Sequence, residues 1–156
     1  MKEENRLSEK ERKFVIDLIK KQFDINEEVF SNYIFFKQRR NKIFIVEKQI
    51  YEFIKKNRLM ENILKFGIKI GTLQKNCFIF NVEGAQIFGK YAKKNVIEID
   101  NKKMKEWLKG YDIELDVKDG VYIIKNGDYI LGCGKVKNKI LKNRVPKERR
   151  ILKDLI

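Results

Sequence analysis

The residues whose types are best suited to binding or catalysis lie between Gly132 and Ile151, in the stretch GCGKVKNKILKNRVPKERRI. Two glycines precede Lys135, and eight of the sixteen residues from Lys135 to Arg150 are lysine or arginine. The single proline of the chain, Pro146, lies among them. Such a segment could be a phosphate-binding loop of an enzyme, a solvated charged tail or a surface that binds a nucleic acid backbone.

The spacing argues against a nucleotide-binding loop. A Walker A loop needs G-x-x-x-x-G-K-[ST], so that backbone amides surround the phosphates before a helix begins. Here Gly134 and Lys135 are followed by Val136 within a strand-like pattern, and the hydroxyl that would hold magnesium is missing. No G-x-G-x-x-G dinucleotide fingerprint opens a helix at this point either.

The segment also differs from a disordered tail, because KVKNKILKN alternates cations with apolar residues. This period places the apolar groups on one side and the cations on the other, as in a half-buried strand. Pro146 stiffens the chain before the last three cations. The pattern therefore predicts an ordered row of cations, which loses less entropy than a flexible tail on binding a phosphate backbone. Arginine guanidinium groups could also fork onto phosphates or stack on unpaired bases.

The composition points the same way. The chain has 156 residues and a formal net charge of +14, and such an excess of positive charge attracts polyanions. High lysine and glutamate contents are also typical of thermophile proteins. The apolar runs are far shorter than a membrane span, and the first residues lack a signal-peptide pattern, so we expect a soluble cytoplasmic protein without a membrane partner.

Missing residue types make most hydrolytic and metal-dependent chemistries improbable. The chain has no histidine, and Cys77 and Cys133 form no CxxC pair, so we expect no catalytic site, no metal site and no cofactor. Both cysteines are predicted to be small buried residues in strands.

The first ninety residues predict a mixed α+β unit. Ser8 and Glu11 have the spacing of a capping box, and the helix they open is expected to bury Phe14, Val15, Leu18, Ile19 and Phe23. The apolar runs on the two sides of QRRN are predicted to be the strands of a hairpin, with QRRN as its turn. A second helix is expected to bury Ile50, Phe53 and Ile54. Two strands joined at Lys75-Asn76 and a short helix complete the unit.

The pattern restarts after residue 94. VIEI predicts a strand, and a short helix follows with Asp100 as its N-cap and Gly110 beyond its end. Asn126-Gly127 between two apolar runs indicates a hairpin. Many short strands with one small helix favour a compact barrel, to which Trp107 is expected to anchor the helix. The predicted domains are therefore residues 1–94 and 95–156.

The C-terminal motifs carry a family resemblance. Two segments carry it: LKGYDI, from Leu108 to Ile113, and LGCGKVKNKILKNRVPKERRI, from Leu131 to Ile151. Together they resemble the PUA-like RNA-binding domain of the sun/fmu (nucleolar-protein) rRNA cytosine-C5 methyltransferases. The glycine-flanked strand, Lys142-Asn143 and Pro146-Lys147 carry the likeness. The resemblance implies an α+β fold in which a small α/β sandwich-like domain precedes a PUA-like β-barrel.

The stretch GIKIGTLQKNCFIFNVEGAQIFGKYAKKNVIEI, from Gly67 to Ile99, is similar to the segment that joins an α/β domain to a PUA domain in archaeal and eukaryotic ribosome-biogenesis proteins. Together the two likenesses imply a free-standing, archaeal-type ribosome biogenesis protein that lacks the methyltransferase domain. No proline precedes either cysteine, so the nucleophile motif of those methyltransferases is absent from this sequence.

The predicted function is RNA binding in rRNA maturation, with rRNA the first expectation, tRNA a second one, and a pre-ribosomal particle or a methyltransferase in trans as protein partner. A second contact is predicted at Arg39 and Arg40, in the hairpin turn. The predicted RNA-binding residues of the C-terminal region are Lys109, Tyr111, Lys135, Lys137, Lys139, Lys142, Asn143, Arg144, Lys147, Arg149 and Arg150.

Three alternatives stay open at this point. A small RNA-modifying enzyme could use carboxylates such as Asp112 or Asp116. An adaptor could recruit a separately encoded rRNA methyltransferase. A DNA-binding repressor is less consistent with the sequence, because no recognition-helix pattern stands out.

Overall fold

A four-stranded antiparallel sheet organises the first half of the chain. The computed structural model describes residues 5–151, apart from the side chain of Leu64. The sheet has the strand order β1-β2-β3-β4, so each strand pairs with its neighbour in sequence. Its elements are α1 (Glu9–Phe23), β1 (Tyr33–Gln38), β2 (Lys42–Glu47), α2 (Lys48–Lys56), β3 (Ile68–Gln74), β4 (Cys77–Phe80) and α3 (Val82–Phe88). Short 3₁₀ turns cover Glu27–Phe30, Arg39–Asn41, Met60–Phe66 and Gly89–Tyr91.

The capping box predicted for α1 is confirmed, since the Ser8 hydroxyl accepts from the Glu11 N–H and the Glu11 carboxylate accepts from the Ser8 N–H. The predicted buried face is partly wrong. Phe14 is 51% exposed, and Ile16 is buried instead. Both positions are apolar, and the packing of the helix against the sheet decides which of them is covered.

Helix α2 requires a similar correction. Phe53 is 58% exposed and Ile50 is also exposed, whereas Tyr51 and Ile54 are buried. Tyr51 packs beside Phe36, with 6.1 Å between ring centroids. An aromatic residue that sequence periodicity left out of the apolar face therefore fixes the orientation of the helix.

A curled five-stranded sheet organises the second half. Its order is β5-β7-β8-β9-β6; β5 pairs parallel to β7, and the other pairs are antiparallel. The sheet curls into a half-barrel, which confirms the predicted fold class of α+β with a PUA-like barrel. The elements are β5 (Val96–Glu98), α4 (Asn101–Leu108), β6 (Ile113–Glu114), β7 (Gly120–Asn126), β8 (Tyr129–Lys137) and β9 (Ile140–Leu141), followed by a 3₁₀ turn at Lys147–Arg149.

Local signals in this half agree with the structure. The Asp100 carboxylate accepts from the Lys103 N–H as the N-cap of α4, and Trp107 is 1% exposed against the barrel core. The β7–β8 hairpin turns through Gly127-Asp128, with Gly127 in the left-handed region at φ +58°. Glycine adopts this conformation without steric cost.

The curled sheet is buried on both faces. Val121, Ile123 and Cys133 pack into the same core as α1 and the first sheet. Tyr122, Ile124 and Val136, along with other barrel residues, pack with Trp107 inside the barrel. One cluster of buried apolar residues therefore extends across both halves, and the barrel interior forms a separate cluster. The division into domains at residues 94 and 95 stays a prediction, and residues 1–4 and 152–156 lie outside the described part.

Glycine allows a helix and a strand to approach closely where α3 crosses β3. The carbonyl oxygen of Ile70 occupies the space that a Cβ at Gly84 would need.

Among the helices within residues 5–151, none is long and apolar enough to cross a membrane.

The two cysteines differ in environment. Cys133 is buried as predicted, and burial raises the pKa of its thiol to about 12. Cys77 packs against the core but is partly exposed, which corrects the prediction that it is buried.

We predict that iodoacetamide at neutral pH alkylates Cys77 and leaves Cys133 unmodified in the folded protein. The thiolate is the reactive species, so the raised pKa and the burial of Cys133 should slow its reaction by at least about a hundredfold. Mass spectrometry should find one adduct per chain on native protein and two after denaturation. Equal labelling of both cysteines in native protein would contradict the burial of Cys133.

Candidate nucleic-acid interface

Three lysines of the predicted segment share one face of the β8–β9 pair. Lys135 and Lys137 are exposed on either side of the buried Val136, and alternate strand residues point to the same face. Lys142 stands beside Lys135 across the pair, because its N–H donates to the Lys135 carbonyl at 3.3 Å. Three cations therefore project from one surface, which we call the basic face.

No carboxylate neutralises these cations within the described part of the chain, where Lys135, Lys137 and Lys142 take part in no ion pair. Adjacent like charges across a strand pair destabilise each other. A polyanion that lies across the basic face would relieve this repulsion, and phosphate groups are suited to that role.

Lys135 also lines a groove between the two halves, which we call the lysine groove. Its volume is about 610 Å³, and its other cations are Lys21 of α1, Lys75 of the β3–β4 turn and Lys94. No aspartate or glutamate is among the described residues that line it. The cations of the groove come from four segments distant in sequence.

Polar side chains hold the walls of the lysine groove in place. Gln22 pairs with the backbone of Phe78 through two hydrogen bonds of 2.7 Å, and so occupies the open edge of β4 as a further strand would. Asn95 donates to the Gln22 carbonyl at 2.6 Å, and the Lys94 amine donates to the Lys21 carbonyl at 3.3 Å. The end of α1, the edge of β4 and the start of the second half are thereby fixed to one another.

Arg144 lies on a different side of the junction. It lines a second cleft with Lys69, Thr72 and Glu83, among other residues. Arg144 also acts on the buried Cys133, whose pKa is raised mainly by burial while the guanidinium charge opposes the rise. The segment after β9 therefore runs from the basic face to this second cleft.

Two other predicted cations are paired with carboxylates. The Lys139 amine lies 2.9 Å from the Asp116 carboxylate, and Arg149 forms an ion pair with Glu83 of α3. Lys139 also faces a third cleft lined by four acidic side chains. The segment is thus not one continuous row of free cations, since side chains from other elements neutralise some of them.

Asn143, one of the predicted RNA-binding residues, makes hydrogen bonds within the protein. Its Nδ2 donates to the carbonyls of Trp107 at 2.8 Å and Tyr111 at 3.0 Å, and its Oδ1 accepts from the Val145 N–H at 2.8 Å. Its backbone N–H donates to the Asp112 carboxylate at 2.7 Å. The side-chain amide therefore has partners inside the protein, and RNA contact by Asn143 stays a prediction.

Arg150 also packs within the protein. Its Nε donates to the Val145 carbonyl at 3.0 Å, and its side chain covers Gly110, whose φ is +96°. A side chain at residue 110 would collide with it. The C-terminal segment is therefore held against the end of α4, and RNA contact by Arg150 stays a prediction.

Five predicted RNA-binding residues remain, and they lie in three separate parts of the fold. Lys109 and Tyr111 are at the C-terminal end of α4, and Lys147 is exposed in the 3₁₀ turn. Arg39 and Arg40 form the exposed tip of the β1–β2 hairpin, where Arg40 has a φ of 60°. RNA contact by these five residues stays a prediction.

The carboxylates considered for catalysis have structural partners. Asp112 accepts from Asn143, and Asp116 pairs with Lys139. Within residues 5–151, no three or more acidic or cysteine side chains are grouped so that they could hold a metal ion.

Sequence reasoning missed the other three lysines of the groove. Lys75 and Lys94 lie in segments that the sequence marks as basic turns, and Lys21 is on the charged side of α1. Each was visible as an exposed cation. Their convergence on Lys135 depends on the packing of the two halves.

Comparison with known proteins identifies the second half. Residues 94–151 match the family model described as the methyltransferase RsmF PUA domain. These residues of the chain are therefore similar to the PUA-like domain of that family. The predicted resemblance to the sun/fmu type is thereby confirmed for these residues, and it relates the PUA-like domain to RNA binding in the context of rRNA modification.

The chain is also similar to part of a longer protein. The chain is 29% identical over 86 residues to the ribosomal RNA small subunit methyltransferase F of Aeromonas salmonicida (strain A449). The aligned region covers 54% of this chain and 18% of that protein. The family match covers the PUA-like domain and does not include a methyltransferase catalytic domain.

Proposed function

We propose that this protein binds structured RNA, with rRNA the preferred class, through the basic face and the lysine groove. The observation that carries the proposal is a set of cations on adjoining surfaces without a neutralising carboxylate among the described residues. These cations come from β8, the residue after β9, α1 and the β3–β4 turn. The PUA-like domain of an rRNA methyltransferase family supports RNA as the polyanion.

The cellular role we propose is that of an accessory factor in rRNA modification or ribosome assembly. In this role the chain holds RNA, and catalysis is left to another protein. A pre-ribosomal particle or a methyltransferase acting in trans is the corresponding partner. Asp112 accepts a hydrogen bond from the Asn143 N–H and Asp116 pairs with Lys139, and these structural partners favour binding over catalysis by this chain.

We predict a steep salt dependence of RNA binding. If about four to six of the cations contact phosphates, a plot of log affinity against log salt should have a slope of about −3 to −5, because each contact releases counterions. Fluorescence anisotropy with a labelled RNA stem-loop that carries a single-stranded tail gives this slope.

The same titration with a DNA duplex of equal length is the control. Tighter binding to the RNA at every salt concentration supports an RNA-binding role. A slope near zero, or equal affinity for the DNA duplex, would reject it.

A further inference from the structure

The second cleft, at the junction of the two halves, is lined by cations from both of them and by two carboxylates. Its volume is about 490 Å³. One wall is formed by β3, β4 and the start of α3, and the other wall is formed by the segment after β9 with Arg144, Pro146 and Arg149. The cleft is open to solvent and is large enough to admit part of a nucleotide chain.

Lys69 and Arg144 line this cleft, and Lys42 lies beside it on the adjoining strand. Burial is the main cause that lowers the pKa of Lys69, and the charges of Lys42 and Arg144 lower it further. Lys42 and Lys69 lie on the adjoining strands β2 and β3, where Lys42 pairs with Thr72, a residue that lines the cleft. The folded protein therefore holds the Lys69 ammonium close to two other positive charges.

The carboxylates of the cleft do not remove this repulsion. Glu83 raises the pKa of Lys69, but the net direction is downward. Glu83 is also engaged in the ion pair with Arg149. Asn81 uses its amide internally, because Nδ2 donates to the Lys69 carbonyl at 2.8 Å and Oδ1 accepts from the Gly84 N–H at 2.8 Å. Glu148 is a second carboxylate in the lining of the cleft. The charged donors that the cleft offers to an oxyanion are the Lys69 ammonium and the Arg144 guanidinium, one from each half.

We infer that this cleft binds a backbone phosphate of the RNA between Lys69 and Arg144, with Lys42 beside them, so that the N-terminal half supplies part of the interface. The inference rests on the proposed function. It adds a site on the N-terminal half, opposite the C-terminal segment on which the sequence placed most of the contacts. An RNA strand that crosses the junction would engage both halves at once.

The test replaces both lysines of the N-terminal half. The double variant Lys42→Gln with Lys69→Gln should bind the RNA stem-loop about 10- to 30-fold more weakly at moderate salt, and its salt slope should be less steep by about 1 to 2, because two phosphate contacts are lost. Its melting temperature should equal or exceed that of the wild type, because a disfavoured charge is removed. The matched control is Lys48→Gln with Lys56→Gln, two exposed lysines of α2.

Acetylation of the wild-type protein provides a second readout. Bound RNA should protect Lys69 from acetic anhydride and leave Lys56 reactive, as measured by peptide mass spectrometry. If the wild type binds RNA while Lys69 remains equally reactive and the double variant binds like its control, this inference fails and the proposed function stands. If the wild type does not bind RNA, both fail.

Discussion

Replacing Lys135, Lys137 and Lys142 with glutamine is expected to weaken RNA binding by about 30- to 100-fold near physiological salt, because three phosphate contacts of the basic face are removed together. The salt slope should become less steep by about 2 to 3 in the same experiment. All three side chains are exposed, and they form no ion pair with a carboxylate in residues 5–151. The fold should therefore tolerate the change, and the melting temperature should be unchanged or slightly higher.

A matched variant separates the basic face from net charge. Lys56→Gln, Lys102→Gln and Lys105→Gln remove the same charge from exposed positions on α2 and α4. Lys102 lies beside the acidic third cleft, away from the lysine groove. If both triple variants lose the same affinity, overall charge explains binding and the basic face has no special role.

Replacing Asn143 with alanine is expected to destabilise the protein by about 2–4 kcal/mol, because the carbonyls of Trp107 and Tyr111 lose a donor and the Val145 N–H loses an acceptor. For a chain of this size, this corresponds to a fall in melting temperature of about 5–15 °C. Differential scanning calorimetry in the absence of RNA measures it.

The comparison variant for this experiment is Asn32→Ala. Asn32 is exposed, and its backbone carbonyl, which accepts from the Lys48 N–H, is retained in the variant. Its melting temperature should change by no more than about 1–2 °C. A base-recognition role for Asn143 predicts the opposite pattern, with an unchanged melting temperature and a selective loss of RNA affinity. That outcome would support Asn143 as an RNA contact.

Local sequence patterns determined the elements of this fold. The Ser8–Glu11 capping box and the Asp100 N-cap each involve residues three positions apart, so their geometry is complete within a single turn of helix. The hairpins around QRRN and Gly127-Asp128 depend on a few turn residues. The alternation in KVKNKILKN likewise separated the buried Val136 and Leu141 from the exposed lysines. These features follow from the periods of helix and strand.

Local sequence patterns did not determine which of two apolar residues on a helix is buried. Phe14 and Ile16 are both candidates for the buried face of α1, as are Phe53 and Tyr51 for that of α2, and the structure selects Ile16 and Tyr51. A helix can rotate by a fraction of a turn at little local cost. The partner surface then decides which side chain is covered, and that surface is formed by residues distant in sequence.

The interface itself depends most strongly on tertiary structure. The sequence alone indicated a strongly basic chain with a PUA-like segment, and it predicted a row of cations that the structure shows to be partly neutralised. Only the packing of the two halves brought Lys21, Lys75 and Lys94 to Lys135, placed Lys69 near Arg144, and paired Arg149 with Glu83. Electrostatic interactions act through space and weaken with distance, so the partners of each charge are set by the fold and not by its neighbours along the chain.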